Sequence, residues 1–256
     1  MATKSSIEWT EVTWNPVTGC DKVSAGCKNC YAERMAKRLK AMGVEQYKNG
    51  FQLTLAPHTL NIPRKWKTKK IVFVNSMSDL FHDKVPLSYI RKVFKVMNET
   101  PHIYQILTKR SKRLVKLANK LNWSDNIWMG VSVENEALSY RIEDLTKIPA
   151  KVKFLSIEPL IGEIKTLNLD KIDWVIVGGE SGPKAREIKK EWIDFVKQAC
   201  NQSKTPFFFK QWGKKEFNIN PNDPTIKSEH KNHAKGGCEL DGEIHRDLPK
   251  KVELVK

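Results

Sequence analysis

Several features are missing from this sequence of 256 residues. It has no apolar run of the roughly 20 residues that a membrane-spanning helix needs, and the segment from Met1 to Trp9 lacks the apolar centre of a signal peptide. Cysteine is scarce, with five residues in the chain, and nothing suggests an oxidising compartment. These absences argue against a membrane protein and against a disulfide-stapled secreted domain. We expect a soluble, cytoplasmic protein with reduced thiols.

Acidic residues are also few. The chain has 29 Asp and Glu against 45 Lys and Arg, which gives a net charge of +16 at neutral pH. An excess of this size favours a polyanionic partner, so we expect nucleic acid or a nucleotide as substrate or partner. The alternative is that the lysines belong to ordinary solvated faces, because many of them, such as Lys112, Lys116 and Lys120, are scattered along the chain.

Three of the five cysteines lie close together in the sequence. Cys20, Cys27 and Cys30 have the spacing C-x6-C-x2-C, and thiolates are ligands of soft metals and of iron–sulfur clusters. A structural zinc site normally takes four ligands, but no histidine or fourth cysteine lies nearby. Three cysteines would leave one iron of a [4Fe-4S] cluster open to a small molecule. Two alternatives remain: three free thiols, or a zinc site completed by the distant Cys238 or by a histidine.

Beyond the cysteines the chain repeats one plan, a short apolar run followed by an amphipathic segment. The apolar runs have the length of buried parallel strands, and they begin at residues 71, 103, 127, 152, 174 and 207. Helical spacing is found over residues 87–97, 112–121, 136–145 and 191–200. A shorter strand, Val12–Trp14, precedes the cysteines, and a helix from Tyr31 follows them. The alternation predicts an α/β fold with a parallel sheet, in the form of a partial or full (β/α) barrel of the TIM type.

The end of the chain has a different composition. We expect the barrel to occupy residues 1–213 and a polar C-terminal extension to occupy residues 214–256. Its polar composition predicts a solvated and partly disordered tail. The alternative is a zinc site made by His230, His233 and Cys238.

Polar residues follow all six strands of the repeat. Because active sites of α/β barrels lie at the carboxyl ends of the strands, the sequence predicts that these residues line one pocket. They are Asn75, Ser76, Ser78 and Asp79, then Lys109 and Arg110, then Ser132 and Glu134, then Glu158, then Gly178, Gly179 and Glu180, and finally Lys210.

Eight segments, spread over nearly the whole chain, together carry a family resemblance. They are Trp14–Cys20, Gly26–Ala32, Val74–Phe81, Gln105–Arg110, Gly130–Glu134, Ser156–Leu160, Gly178–Gly182 and Phe209–Gly213. With these segments the chain resembles the phage Gp37/Gp68-like family (DUF5131) of radical S-adenosylmethionine (SAM) proteins. The first cysteine gap is three residues longer than in the usual C-x3-C-x2-C motif, and Asn29 stands where an aromatic residue often precedes the last cysteine.

The resemblance implies a barrel of the radical-SAM kind with a [4Fe-4S] cluster on the three cysteines. SAM would bind the open iron, and its reductive cleavage would give a 5′-deoxyadenosyl radical that abstracts a hydrogen. An electron donor would then be a partner. By the same resemblance, Asp79 and the three polar residues before it would hold the SAM amino group, and Lys109 or Arg110 would neutralise its carboxylate.

Roles for the later strand ends are proposed on physical grounds. Ser132, Glu180 and the flexible pair Gly178 and Gly179 would contact the cofactor. Glu134 and Glu158 would hold ribose hydroxyls or the substrate, and with Lys210 they are the candidate catalytic residues. For Glu158 the alternative is an ion pair with Lys109, Arg110 or Lys210.

Three functions compete at this stage. The first is a radical-SAM enzyme that modifies or repairs a nucleic acid or nucleotide. The second is a nucleic-acid-binding protein with a structural zinc or a redox-sensing iron–sulfur site and no turnover. The third is a barrel hydrolase that uses Glu134, Glu158 and Glu180, with incidental thiols.

Overall fold

The computed structural model of the chain describes residues 3–5, 7–226 and 235–249. The chain divides into two compact units, each described below by itself. The first comprises Met1–Ser5, Thr10–Gly130 and Lys147–Val152, and the second comprises Ser6–Trp9, Val131–Thr146 and Lys153–Lys256. Among the described residues, no helix has both the length and the apolar character that crossing a membrane requires.

The first unit contains β-strands, α-helices and the loop that carries Cys20, Cys27 and Cys30, called the cysteine loop below. Its strands are β1 (Thr3–Lys4), β2 (Val12–Trp14), β3 (Val17–Thr18), β4 (Thr54–Leu55), β5 (Ile71–Val74), β6 (Ile103–Thr108) and the beginning of β7 (Ile127–Ser132). The order is β1-β2-β5-β6-β7, with β2, β5 and β6 parallel, β1 antiparallel to β2, and β3 and β4 forming a separate antiparallel pair. The strands are rich in β-branched and aromatic residues, and Val72 and Val74 are fully buried.

The helices of the first unit follow their strands. They are α1 (Tyr31–Ala41), α2 (Leu87–Asn98) and α3 (Ser111–Ala118). Helix α2 starts after Pro86, and it buries Ile90, Val93 and Met97, which lie on one helical face. Burial of these apolar side chains supplies most of the stability of such a helix.

The second unit continues the same plan. Its strands are β8 (Val152–Ile157), β9 (Trp174–Gly178), β10 (Phe207–Gln211), β11 (Glu239–Leu240) and β12 (Glu243–Ile244), and its helices are α4 (Tyr140–Thr146) and α5 (Lys190–Ser203). Strands β8, β9 and β10 are neighbours and parallel, whereas β11 and β12 form an antiparallel hairpin. Every residue of β9 is buried, as expected for a parallel strand covered on both faces.

The α/β class with parallel strands is confirmed, and all six strands of the repeat begin at the predicted residues. The predicted helices are present with small differences at their ends, except that residues 136–145 form a short 3-10 turn, Glu136–Leu138, followed by α4. The partial or full barrel, and the boundary between residues 213 and 214, stay predictions.

The described residues of the predicted C-terminal extension are partly packed and partly exposed, so the expectation of a solvated tail is wrong only for the packed ones. Leu240 is fully buried and Cys238 is 4% exposed. Between β11 and β12 the chain turns at Asp241 and Gly242, with φ of 56° and 80°, as in a two-residue type I′ hairpin turn. His230 and His233 lie outside the described residues, so the alternative zinc site stays untested.

A buried carboxylate, Asp223, organises this C-terminal segment. It accepts hydrogen bonds from Thr225 through both backbone and side chain, from the backbone N–H of Glu239, and from the Asn218 amide at 2.8 Å. Burial alone would raise the pKa of Asp223, but these hydrogen bonds outweigh burial and hold it below its ordinary value. The segment is therefore packed through satisfied polar contacts as well as apolar ones.

Candidate functional site

The start of the cysteine loop is fixed by backbone contacts in the first unit. Gly19 has φ of +78°, and a Cβ there would lie 2.1 Å from the Gln52 carbonyl oxygen, so only glycine fits without strain. The Gly19 N–H donates to the Met77 carbonyl at 3.0 Å, and the Cys20 N–H donates to the Phe51 carbonyl at 3.1 Å. These contacts place Cys20 beside the segment that follows β5.

The other two cysteines of the loop lie on its way into α1. Cys27 ends a 3-10 turn, Ala25–Cys27, and its sulfur is 3.8 Å from the Ser24 hydroxyl. Cys30 is the N-cap residue of α1 and packs against an apolar cluster that includes Ala36. Cys20, Cys27 and Cys30 are all free and half-buried.

The arrangement of the three sulfurs does not itself make a metal site. In the part of the chain that the structure describes, no three Cys, His, Asp or Glu side chains are grouped to hold a metal ion. The thiols nevertheless fit an iron–sulfur cluster in their chemistry, because they are three unpaired cysteines on one loop.

A buried ion pair lies directly against the first thiol. Arg110 donates from Nη1 to the Cys20 sulfur at 3.4 Å and to Asp79 Oδ2 at 3.1 Å, and from Nη2 to the Asp21 carbonyl at 3.2 Å. Burial and then the Asp79 carboxylate raise the pKa of the Cys20 thiol to about 11, and Arg110 opposes both. Arg110 is therefore the group that favours the thiolate form needed for metal binding.

Asp79 is saturated by partners within the protein. Its Oδ1 accepts from the Phe81 N–H at 2.9 Å and from the Thr108 hydroxyl at 2.7 Å, and its Oδ2 accepts from the Lys109 N–H at 3.1 Å as well as from Arg110. The Asp79 side chain is 8% exposed and that of Arg110 is 6% exposed. Residues that follow β5 and β6 are thus in contact with each other, and the Asp79 carboxylate binds Arg110.

The remaining polar residues after β5 hold neighbouring backbone. Asn75, with φ of +61°, accepts from the Val17 N–H at 3.3 Å, and the Ser78 hydroxyl donates to the Val17 carbonyl at 2.7 Å. The Ser76 hydroxyl donates to Asn15 Oδ1 at 3.3 Å. Among the described residues, Asn75 Nδ2 and Arg110 Nε are buried atoms without a hydrogen-bond partner.

A histidine that the sequence analysis did not single out also holds the cysteine loop. His82 is 1% exposed, and its Nε2 lies 3.0 Å from Oδ2 of Asp21, the residue after Cys20. Its Nδ1 accepts from the Lys84 N–H, so Nε2 carries the proton and donates to Asp21. Burial and the nearby Arg110 lower the pKa of His82. Its position after the Val74–Phe81 segment was the available signal.

In the second unit, the first predicted group lies at the end of β7. Glu134 is fully buried, and Arg141 Nη1 lies 3.5 Å from both of its carboxylate oxygens. The same Nη1 donates to the Ser132 carbonyl at 2.7 Å. The Ser132 hydroxyl is buried and lacks a hydrogen-bond partner within the described residues.

The second group joins the ends of β8, β9 and β10. Glu158 Oε1 lies 3.1 Å from Lys210 Nζ, and Lys210 is one of the ion-pair partners that the alternative for Glu158 named. A Cβ on Gly178 would lie 2.6 Å from Glu158 Oε1, so the glycine makes room for this carboxylate. Glu8, which the sequence analysis did not single out, forms an ion pair with Arg246 at 2.7 Å, and burial raises its pKa.

The third group follows β9. Arg186 binds both carboxylate oxygens of Glu180, at 2.9 Å from Nε and 2.6 Å from Nη2, a bidentate geometry that strengthens the pair. A Cβ on Gly179 would lie 2.1 Å from the Trp212 carbonyl oxygen, so this glycine permits close backbone packing. Each of the three predicted carboxylates, Glu134, Glu158 and Glu180, therefore has a cation beside it.

A cavity of about 780 Å³ lies elsewhere in the second unit. It is lined by residues that precede β9 and β10, including Asp170, Ile172, Lys204 and Pro206. None of the predicted site residues lines it. Because ligands of parallel α/β sheets bind beyond the carboxyl ends of the strands, we assign no function to it.

Comparison with known proteins gives a family and one structural neighbour. A family model described as "Protein of unknown function (DUF5131)" matches residues 4–249. No curated protein matches the chain. Among solved structures, spore photoproduct lyase complexed with dinucleoside spore photoproduct is similar over 77% of this chain, with 12% identity and a TM-score of 0.44. The chain spans 63% of the length of that structure.

Proposed function

The chain belongs to the DUF5131 family of proteins of unknown function, and we propose that it is a radical-SAM enzyme that modifies or repairs a nucleic acid or nucleotide. The observation that carries the proposal is the cysteine loop with Arg110. Three free thiols lie on one loop, and a buried guanidinium donates to the first of them at 3.4 Å. The family resemblance in the sequence motifs supports the same chemistry.

In this proposal, Cys20, Cys27 and Cys30 hold a [4Fe-4S] cluster. When bound, the cluster supplies the electron for reductive cleavage of SAM and so for hydrogen abstraction from the substrate. Thiol ligands must lose their protons to bind metal. Arg110 stabilises the Cys20 thiolate, while His82 holds the adjacent Asp21 and so restrains the loop.

Arg110 also has one N–H donor, at Nε, that is available for a cofactor carboxylate. Its Nε is buried and has no hydrogen-bond partner among the described residues, and Asp83 lies 3.8 Å from it. An unsatisfied buried donor costs about 1–3 kcal/mol, and a ligand carboxylate would remove that cost. We therefore assign Arg110 to the SAM carboxylate and Asp79 to positioning Arg110.

The roles of the other predicted residues follow from their contacts. The Asn75 Nδ2 atom is a second buried donor without a partner in the described chain, and it is proposed to face the cofactor. Ser76, Ser78 and Lys109 shape the backbone of this region. Glu134, Glu158, Lys210, Ser132, Glu180 and the two glycines Gly178 and Gly179 stay assigned to the substrate or cofactor as predictions.

The proposed partners and location follow from charge and redox chemistry. The net charge of +16 supports a polyanionic substrate, and reduction of a cluster requires an electron donor. Free cysteines support a reducing compartment, so the proposal places the protein in the cytoplasm. Cys238 is buried in the core of the second unit, which favours three cysteine ligands over a zinc site that includes it.

The test is metal analysis after anaerobic purification and reconstitution. We expect a brown protein with broad absorbance near about 400 nm, as iron–sulfur thiolate sites show, and SAM binding in calorimetric titration. Replacing Cys20, Cys27 or Cys30 with Ala should remove most of the iron. Cys200→Ala and Cys238→Ala are the matched controls and should retain it.

Two outcomes would contradict the proposal. A colourless protein with stoichiometric zinc would favour a nucleic-acid-binding protein with a structural metal and no turnover. Loss of as much iron in Cys238→Ala as in Cys27→Ala would replace the open three-cysteine site with a four-ligand site.

A further inference from the structure

Helix α1, which begins directly after Cys30, exposes large apolar side chains to solvent. Tyr31 and Met35 in the helix, and Met42 as its C-cap residue, are 47%, 40% and 65% exposed. At 3.6 residues per turn, these three positions lie on one side of the helix. Large apolar residues grouped on an exposed face indicate an interaction surface.

The same helix is strongly basic. It carries one acid, Glu33, against four bases: Arg34, Lys37, Arg38 and Lys40. Glu33 is already neutralised, because Lys22 from the cysteine loop lies 3.2 Å from it and Lys37 lies 2.9 Å from it. Arg34 and Arg38 are exposed beside the apolar side chains. The surface is therefore positive as well as apolar, which fits a ligand with both phosphates and flat rings.

The ring of Tyr31 is held in place at one end of this face. Its hydroxyl donates to the Ser76 carbonyl, although nearly half of the side chain stays exposed. An aromatic ring that is already ordered loses little conformational entropy when a base stacks on it. Base–aromatic stacking tolerates any sequence, because every base has a π-face.

We propose that this face of α1 is a docking site for single-stranded nucleic acid, with a base stacked on Tyr31 and phosphates bound by Arg34 and Arg38. The inference deepens the proposed function and rests on its nucleic-acid substrate. It places the strand beside the cysteine loop, because Tyr31 follows Cys30 directly. A protein partner with an acidic surface matches the charge but not the exposed ordered ring, so nucleic acid is the better fit.

The first arm of the test measures the phosphate contacts. Fluorescence anisotropy of a labelled 12-nucleotide single strand, as DNA and as RNA, is recorded with the full chain over a range of salt. Arg34→Gln/Arg38→Gln should reduce the slope of log K against log salt by about 1.4, since each phosphate contact contributes about 0.7 for single strands. Lys116→Gln/Lys120→Gln is the matched control, since these exposed lysines have the same four-residue spacing, and it should keep the slope.

The second arm separates the ring from its anchor. Tyr31→Ala should weaken binding about tenfold, within the range for loss of one stacked base. Tyr31→Phe keeps the ring and should retain most of the affinity, even though it loses the hydrogen bond to Ser76. Circular dichroism and iron content of each variant show whether the fold and the cluster loop are intact.

The binding measurements test the proposed docking site whether or not the protein holds a cluster. Equal loss of binding in the lysine control, or unchanged affinity in Tyr31→Ala, would overturn it, as would a wild-type chain that binds no strand at low salt. Variants that bind nucleic acid normally but slow cluster reduction by an acidic donor protein would also overturn it, in favour of a protein partner. Binding needs no cluster, so absence of iron would contradict only the proposed function.

Discussion

Replacing Asp79 with Ala tests the central contact of the candidate site. The carboxylate accepts four hydrogen bonds, from the Phe81 N–H, the Thr108 hydroxyl, the Lys109 N–H and the Arg110 guanidinium. Both members of the ion pair are nearly buried, with side-chain exposures of 8% for Asp79 and 6% for Arg110. Truncation would leave the Arg110 cation without its buried carboxylate partner, and it would leave the other three donors without this acceptor.

The magnitude follows from these contacts. Removing one partner of a buried ion pair typically costs about 3–5 kcal/mol, because the other charge stays buried and unpaired. Three lost hydrogen bonds at about 1 kcal/mol each give a similar lower bound. We therefore expect Asp79→Ala to lower the free energy of unfolding by about 3–5 kcal/mol.

Urea unfolding, followed by both tryptophan fluorescence and circular dichroism, measures this loss. Two probes are needed because the chain has two compact units and must be shown to unfold in one transition. Asp83→Ala is the matched control. The Asp83 side chain is 76% exposed and lies 3.8 Å from the same arginine, so its removal should cost less than about 1 kcal/mol.

A double-mutant cycle gives the second readout. Because Asp79→Ala/Arg110→Ala removes both charges, its loss should be clearly smaller than the sum of the two single losses. Additive losses, or an Asp79→Ala variant no less stable than Asp83→Ala, would refute the view that Asp79 acts by holding Arg110. SAM affinity should then be compared only among variants that are folded and retain iron.

Two further predictions concern the second unit. Gly179→Ala should destabilise the protein by about 1–3 kcal/mol as an overpacking substitution, because its Cβ would meet the Trp212 backbone. A Cβ on Gly178 would meet the end of the flexible Glu158 side chain and would be in ordinary contact with Lys210, so Gly178→Ala should cost less in the same urea assay. Asp223 has a lowered folded pKa, so its contribution is present above the unfolded pKa of about 3.9 and is lost as pH falls through the folded value. The stability difference between wild type and Asp223→Asn should therefore be largest near neutral pH and shrink in acid, and a difference that grows in acid would contradict this.

The strands were predictable because burial on both faces makes them continuous apolar runs. Strand β9, Trp174–Gly178, reads as a strand without any knowledge of its neighbours. Strand ends were less predictable, since β6 and β7 extend to the polar residues Thr108 and Ser132. In β6 the Thr108 hydroxyl finds its acceptor on Asp79, which is 29 residues away in the sequence.

The partners of the charged residues could not be predicted from the sequence. Composition shows an excess of cations but not which cation reaches which carboxylate. The path of the loop after β9 brings Arg186 to Glu180. The neighbouring positions of β8, β9 and β10 in the sheet bring Lys210 to Glu158. The His82–Asp21 contact joins residues 61 positions apart, and no periodicity encodes a contact of that kind.

The hydrogen bonds of the polar residues at the strand ends indicate which of their atoms can bind a ligand. From the sequence, Asn75, Ser78 and Asp79 are predicted to bind a ligand, but most of their donors and acceptors are used inside the protein. The atoms left over are few, and in the first unit they include Asn75 Nδ2 and Arg110 Nε, both buried and without a hydrogen-bond partner among the described residues. A buried polar atom without a partner is costly and uncommon in native proteins. We therefore expect ligand contacts at these two atoms. Arg110 also contacts Cys20, and Asp79 acts by holding Arg110 in place.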